Sequence, residues 1–168
     1  ACGKEATPVE EPIVEEPIVD LATEAQRIAK SSILIDTHVD VPFRLARTPE
    51  DVSRATESGD FDYPRALRGG LNAPFMSIYT GADLEAQGLS RKAADTLIDL
   101  VEDIVAGAPE KLAIALTPDD VRAQFDAGIM SLPLGMENGS PIDGDLANLQ
   151  HFYDRGIRYV TPAHSLSN

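Results

Sequence analysis

Two carboxylates and an imidazole occupy alternate positions near the start of the sequence. Asp36, His38 and Asp40 follow the apolar run 33–35, which predicts the end of a buried strand. Because side chains alternate between the two faces of a strand, we expect these three to point the same way. Imidazole nitrogen and carboxylate oxygen are ligands that zinc uses in hydrolytic sites. The spacing therefore fits a metal site, and it fits a hydrogen-bonded polar cluster as well.

Two further polar residues stand at the ends of later predicted strands. Glu137 follows the largely apolar run 129–136, and His164 ends the segment IRYVTPAH. In a parallel α/β barrel the C-terminal ends of the strands form one face, where active sites are built. We therefore expect Glu137 and His164 to converge with the first group. Taken singly, Glu137 also fits a helix-terminus carboxylate, and His164 a hydrogen-bonded loop residue.

The elements that must position these residues alternate along the chain. Helices are predicted over 21–31, 90–107, about 118–128 and about 143–155, and strands over about 33–36, 73–80, 111–117, 129–137 and 157–164. Segment 47–70 is polar and is predicted to be a long irregular connection. This alternation predicts βα units around a parallel sheet. The expected fold class is α/β, the N-terminal part of a (β/α)8 TIM-type barrel.

Several side chains outside the strand ends have simpler interpretations. Ser90 is predicted to cap the helix over 90–107. The helix near 143–155 is expected to turn Leu146, Leu149 and Phe152 towards the core. His151 is interpreted as a surface residue rather than a ligand. The three methionines, Met76, Met130 and Met136, are predicted to fill the core.

Composition and charge limit the partners of this protein. The 168 residues include 28 acidic and 14 basic side chains, which give a net charge of -14. Such a surface repels phosphate backbones, so nucleic acid is not expected as a partner. The hydrophobic fraction of 43% is that of an ordinary globular protein. No apolar run is long enough to span a bilayer.

Residues 1–20 differ in composition from the rest of the chain. They contain six acids, one base and the tandem EEPIVEEPIV. Proline and like charges disfavour packed structure, so we interpret 1–20 as an extended tether and 21–168 as the barrel portion. Cys2 is the only cysteine, and its Ala-Cys-Gly context resembles the remnant of a bacterial lipoprotein cleavage box. An incidental terminal cysteine is the alternative. A lipidated Cys2 would place the protein in the bacterial cell envelope, as a periplasmic or outer-membrane lipoprotein that meets the membrane only through its anchor.

Three motifs, in order along the chain, resemble those of a known family. IDTHVD followed by VPFRL resembles IDGHNDLPWRL of the membrane dipeptidase (renal dipeptidase) family of zinc peptidases. LGMENGSPID resembles its GxEGGxxID segment, and YVTPAHSLSN its YLTLTHxxxN segment. FMSIYTG and YPRALRGGL fit as well, so the resemblance extends from Ile33 to Asn168. The sequence differs from the family motifs at Val39, Phe43 and 140–141, and these differences remove no ligand.

The resemblance implies a role for each residue. His38, Asp40 and Glu137 would ligate one zinc, and Glu137 would bridge to a second zinc ion. A hydroxide shared by the two ions would attack the peptide carbonyl of a dipeptide. His164 would contact the substrate oxygen as the carbon becomes tetrahedral. Asp36 comes too early to be a ligand in this scheme, and we interpret it as a residue that orients a ligand. The resemblance is compatible with a homodimer.

Two other functions are compatible with the sequence. One is a different metal-dependent amidohydrolase acting on a lactone, cyclic amide or acylated amino acid. The other is a non-catalytic lipoprotein that serves as a binding module. A complete barrel typically has about 250 residues, and two histidines, an arginine and an aspartate of the family have no counterparts here. We therefore expect this chain to be the N-terminal part of a longer polypeptide, to require the C-terminal half of the barrel, and to be neither stably folded nor active by itself.

Overall fold

The computed structural model describes residues 20–164. Within this range helices and strands alternate, in the following order: α1 (Leu21–Ser31), β1 (Leu34–Val39), α2 (Val41–Leu45), α3 (Tyr63–Gly69), β2 (Leu71–Tyr79), α4 (Ala82–Glu85), α5 (Ser90–Gly107), β3 (Leu112–Ile114), α6 (Pro118–Asp126), β4 (Met130–Leu132), β5 (Leu134–Glu137), a 3-10 helix (Ser140–Ile142), α7 (Leu146–Asp154) and β6 (Ile157–Thr161). Cys2 and residues 1–19 of the predicted tether lie outside the described residues.

Every strand pairing in the described structure is parallel. Four strands form one sheet in the order β1-β2-β5-β6, and β3 pairs with β4 in a second, two-stranded sheet. Parallel neighbours require a crossover connection, which the intervening helices supply. The predicted α/β class with a parallel sheet is confirmed.

Local sequence accounts for where several helices begin. Thr117 and Asp120 form a reciprocal capping box at the start of α6, and Pro118 occupies its first turn. Asp145 caps α7 by accepting a hydrogen bond from the backbone N–H of Ala147. The predicted bounds of α5 match the structure, but the cap position is Leu89 and Ser90 is the first helical residue.

The core lies between the central strands and the helices that cover them. Met76, Ile78, Leu134 and Met136 on β2 and β5 are at most 2% exposed. They pack in one cluster with Ile98 and Val101 of α5 and with Phe152 of α7. The prediction that the three methionines fill the core is confirmed, since each is buried.

The predicted strand over 129–137 is two strands, because Pro133 interrupts it. Proline has no backbone N–H for a ladder hydrogen bond. β4 ends at Leu132 and pairs with β3, whereas β5 starts at Leu134 and pairs with β2 and β6. The carbonyl of Pro133 still accepts a hydrogen bond from the backbone N–H of Met76 at 2.8 Å.

Two predictions of burial are wrong. The apolar start of β1 was expected in the core, but β1 is the edge strand of its sheet and Ile35 is 53% exposed. In α7, Phe152 is buried as expected, while Leu146 is 76% and Leu149 40% exposed. The apolar pattern predicted that β1 and α7 form, but it did not predict how much of each is covered by other elements.

Segment 47–70 is more ordered than the predicted irregular connection. It contains α3, whose N-cap residue Asp62 is fully buried and accepts hydrogen bonds from the backbone N–H groups of Thr56 and Arg65. Arg65 also donates to the carbonyls of Thr56 and Gly59.

No helix within residues 20–164 combines the length and the apolarity needed to cross a bilayer.

Candidate metal centre

Three side chains of ligand type meet at the C-terminal ends of β1 and β5. His38 belongs to β1, Asp40 is the N-cap residue of α2, and Glu137 is the last residue of β5. One ligand atom from each lies within 4.8 Å of the other two, and this is the one such group among residues 20–164. The expected convergence of these residues is therefore present in the structure.

The spacing of the donor atoms fits a small cation. His38 Nε2 lies 3.0 Å from Glu137 Oε2 and 3.4 Å from Asp40 Oδ1. Donor atoms bound tetrahedrally to zinc at about 2.0–2.2 Å are about 3.4 Å apart. The Glu137 side chain is 14% exposed and that of Asp40 is 61% exposed, so the group opens to solvent on the Asp40 side.

Asp40 reaches the group by a route that the sequence pattern did not predict. Its backbone has left the extended conformation, with φ -82° and ψ 29°, and a register irregularity between Asp36 and Val39 precedes it. The expectation that Asp36, His38 and Asp40 share one face of a single strand is therefore wrong for Asp40. The chain turns into α2 at this point, and the turn directs the Asp40 carboxylate back towards His38.

Asp36 contacts the backbone of His38 rather than its ring. The Asp36 carboxylate accepts a hydrogen bond from the backbone N–H of His38 at 2.9 Å. This is the local contact by which an aspartate fixes the backbone two residues later. Its predicted part in orienting a ligand remains a prediction.

Glu137 is the most connected side chain of the group. Its Oε2 faces His38 and accepts a hydrogen bond from the hydroxyl of Ser77, at 3.0 Å in each case. Its Oε1 lies 3.0 Å from His164 Nε2. Ser77 is fully buried on β2, the strand that pairs with β5, so the sheet itself fixes this contact.

His164 joins the site from three residues beyond the end of β6. Its ring packs against Tyr79, with centroids 5.0 Å apart, and Tyr79 in turn contacts Phe43 edge-on at 5.0 Å. The His164 side chain is 42% exposed. Phe43, one of the departures from the family motif, therefore belongs to the wall of the site.

The sequence assigned no role to Tyr159, which contacts the site from β6. Its hydroxyl donates to the backbone carbonyl of Thr37 at 3.1 Å and lies 3.0 Å from His38 Nδ1. Burial raises the pKa of Tyr159, and the negative charge of Glu137 raises it further, so the hydroxyl keeps its hydrogen at neutral pH. Gly135, a glycine inside a predicted strand, is the sequence signal of such a close approach.

His151, the third histidine of the chain, lies elsewhere. Its Nε2 is 2.8 Å from Asp95 Oδ1, and Arg155 donates to the same oxygen at 2.9 Å. The His151 side chain is 33% exposed, so it is partly covered between α5 and α7.

The amino-acid sequence places this chain in a known protein family. The family model described as membrane dipeptidase (Peptidase family M19) matches residues 22–168. The chain therefore belongs to the membrane dipeptidase family of metallopeptidases, and the resemblance found in its motifs is confirmed.

Solved structures show the same fold. The chain resembles a metallopeptidase described as dipeptidase AC, with a TM-score of 0.71 and 24% identity over 79% of this chain and 43% of that one. It also resembles the probable dipeptidase PvdM from Pseudomonas aeruginosa, with a TM-score of 0.74 and 21% identity over 82% and 36%. A third similar structure is a metallopeptidase from Rhodobacter sphaeroides, liganded with a phosphinate mimic of the dipeptide L-Ala-D-Ala. Its TM-score is 0.70 and its sequence identity 24%, over 79% of this chain and 46% of that one. The chain thus spans less than half the length of each of these TIM-barrel-type proteins.

Proposed function

We propose that the intact protein carrying these residues is a metal-dependent dipeptidase. The observation that supports this most is the convergence of His38, Asp40 and Glu137 at the strand ends, with ligand atoms within 4.8 Å of one another. Membership of the membrane dipeptidase family over 22–168 supports the reaction class.

The proposed cofactor is zinc, with two ions in the complete site. His38 Nε2 and the Asp40 and Glu137 carboxylates would hold one ion, because one imidazole nitrogen and two carboxylate oxygens form a catalytic zinc donor set that leaves a position open. Glu137 presents Oε2 towards His38 and Oε1 towards His164, which suits a carboxylate shared by two ions. Bound zinc would supply an acidified water and polarise the substrate carbonyl.

The side chains around the donor set would position the substrate. His164 lies beside Glu137 and, in this proposal, donates a hydrogen bond to the carbonyl oxygen as that oxygen gains negative charge. Tyr79 packs against the His164 ring and Phe43 packs against Tyr79, and this packing would limit the rotation of His164. Asp36 holds the backbone at His38 and so fixes the point from which the imidazole projects.

The proposed substrates are dipeptides, including those with a D-configured C-terminal residue. The phosphinate mimic of L-Ala-D-Ala bound to the Rhodobacter sphaeroides metallopeptidase supports this choice. A panel containing L-Ala-D-Ala, L-Ala-L-Ala, a lactone and an acylated amino acid separates this proposal from the wider class of metal-dependent amidohydrolases.

The proposed location is the bacterial cell envelope, with residues 1–20 as a tether and Cys2 as the lipid attachment site. The Ala-Cys-Gly start and the acidic EEPIVEEPIV repeat support this proposal. Incorporation of labelled palmitate into the wild type, and its loss in Cys2→Ser, is the expected result in a bacterial host. Equal labelling of the two proteins, or none in either, would contradict the anchor.

The proposed activity is tested by metal analysis and dipeptide hydrolysis of the intact protein. We expect bound zinc and turnover of at least one dipeptide in the wild type, and loss of both in His38→Ala and Glu137→Ala. His151→Ala is the matched control, because this histidine lies outside the proposed site. Turnover retained by both site variants would refute the proposal.

A further inference from the structure

Tyr159 connects the two edge strands of the four-stranded sheet. β6 and β1 are separated by β2 and β5, so on a flat sheet they would lie about 14 Å apart, three strand spacings. The Tyr159 hydroxyl nevertheless lies 3.1 Å from the Thr37 carbonyl oxygen of β1. The sheet is therefore curved enough for a side chain on its inner face to reach from one edge strand to the other.

The hydrogen bonds at the Tyr159 hydroxyl show that His38 Nδ1 carries a hydrogen. A backbone carbonyl can only accept, so the single hydroxyl hydrogen is donated to Thr37. The hydroxyl oxygen then has acceptor capacity for His38 Nδ1, 3.0 Å away, which must supply an N–H. Nε2 lies 3.0 Å from the Glu137 carboxylate and 3.4 Å from that of Asp40, and is therefore the nitrogen left to face a cation bound between them.

The ring of Tyr159 is held in this position by the strand beneath it. A Cβ atom at Gly135 would lie 2.0 Å from Tyr159 Cζ, so only glycine leaves space for the ring to cross β5. Phe75 of β2 contacts the same ring, with centroids 5.4 Å apart. The position of the hydroxyl is thus set by packing as well as by its hydrogen bonds.

We propose that Tyr159 is a positioning residue that accepts the Nδ1–H of His38 and so presents Nε2 to the metal, while Gly135 provides the space that this requires. The inference rests on the proposed function, since it assigns His38 to a metal. It goes beyond that function by naming the group that fixes which ring nitrogen binds and how the ring is oriented. Histidine ligands of metals generally donate their other N–H to a fixed acceptor, which orients the ring and raises its basicity.

The test compares Tyr159→Phe with the wild type in the intact protein. Phenylalanine keeps the ring that packs on Gly135 and Phe75 but removes the acceptor. Zinc affinity, measured by competition with a chromophoric chelator, is expected to fall about 10- to 100-fold, the usual effect of removing such a partner. Tyr153→Phe is the matched control, since Tyr153 is 56% exposed on α7, and its zinc affinity is expected to stay within twofold of the wild type.

A second readout reports the hydrogen bond itself. In the zinc-loaded wild type, the ¹H–¹⁵N signal of His38 Nδ1–H should be visible and slow to exchange with water. It is assigned by its absence in His38→Gln. Tyr159→Phe should broaden or remove this signal, which a loss of packing elsewhere would not do. The wild-type signal is informative even if the variant folds poorly.

The outcomes separate this inference from the proposed function. Zinc affinity within twofold of the wild type in Tyr159→Phe, or Nδ1 rather than Nε2 bound to zinc in the wild type, would overturn the role of Tyr159 even if dipeptides are hydrolysed. Weakened zinc binding and loss of the Nδ1–H signal would support it even if no dipeptide is hydrolysed. A wild type that binds no zinc would overturn both.

Discussion

Histidine and carboxylate side chains meet at two places in the described structure, once at the strand ends and once between two outer helices. The strand-end cluster consists of His38, Asp40, Glu137 and His164. The helix cluster comprises three acids of α5, one histidine of α7 and the arginine that caps the C-terminus of α7, namely Asp95, Asp99, Glu102, His151 and Arg155. The two clusters share histidine and carboxylate side chains, but only the helix cluster also contains an arginine.

A guanidinium neutralises the helix cluster. Arg155 donates to Asp95 at 2.9 Å, to Asp99 at 2.6 Å and to Glu102 at 3.1 Å. Burial disfavours its charge, but the hydrogen bond to Asp99 and the charge of Glu102 outweigh burial and raise the pKa of Arg155. Arg155 is therefore a permanent cation at any physiological pH.

The strand-end cluster has no such cation among residues 20–164. No Lys or Arg side chain in that range lies within 4.0 Å of the carboxylates of Asp36, Asp40 or Glu137. Carboxylates brought together without a lysine or arginine between them repel one another and favour a bound cation. The same residue types therefore form an ion-paired structural cluster where an arginine is present, and a candidate metal site where none is.

The largest expected effect is on zinc affinity in Glu137→Gln. This change keeps the size of the side chain but removes the charge that faces both His38 and His164. We expect zinc affinity to fall more than about 100-fold, beyond the effect of losing a partner that only orients a ligand. Chelator competition on the intact protein gives the affinity. Glu102→Gln, the same change in the helix cluster, should leave the zinc affinity within twofold of the wild type. Equal losses of zinc affinity in the two variants would contradict the distinction between the clusters.

Zinc should also stabilise the folded protein through the strand-end cluster alone. Free zinc at 100 times its dissociation constant raises the free energy of unfolding by about 2.7 kcal/mol. Urea unfolding with zinc and with excess chelator measures the difference. We expect it to persist in Arg155→Met and to disappear in Glu137→Gln. The reverse pattern would assign zinc to the helix cluster.

Arg155→Met should destabilise the zinc-free protein by about 1–2 kcal/mol, between the values for exposed and buried ion pairs. The substitution leaves the carboxylates of Asp95 and Asp99 close together without their cation. Urea unfolding in excess chelator gives the value. Arg122→Met is the control, because Arg122 and Asp119 form an exposed pair, and a loss below about 0.5 kcal/mol is expected there. Equal losses of unfolding free energy in the two variants would contradict a stabilising role for Arg155.

The smallest effect expected is a pH dependence carried by Tyr159. Because burial and the nearby carboxylates raise its pKa in the folded state, the folded protein holds this proton more tightly than the unfolded chain does. Its contribution to stability is complete below the pKa of the unfolded chain, about 10, and is lost as the pH rises from there through the folded-state value. In excess chelator, the wild type should lose more stability than Tyr159→Phe above that pH. Parallel curves would contradict the assignment.

The sequence predicted those features that depend on residue type and local period. The alternation of strands and helices gave α5, the parallel sheet and the strand ends that bring Glu137 and His164 together. It could not give the exposure of Ile35, which depends on strand order in the sheet. Nor could it give the turn at Asp40, where the chain leaves β1 for α2.

Contacts between distant parts of the chain were the least predictable. Tyr159 and His38 are 121 residues apart, and only the curvature of the sheet brings them within 3.0 Å. Pro133 divides the segment that the apolar pattern predicts as one strand. The two resulting strands pair with different neighbours, β4 with β3 and β5 with β2, and the apolar pattern does not contain this pairing. Gly135 carried a usable signal, because a glycine inside a strand indicates that another group approaches closely.

Anomalous X-ray diffraction at the zinc edge, on crystals of the intact protein grown with zinc, tests the central claim most directly. We expect an anomalous peak between His38 Nε2 and the carboxylates of Asp40 and Glu137, and none beside Asp95 and Asp99. Absence of a peak at the strand ends, or a peak only in the helix cluster, would contradict the assignment of the metal site.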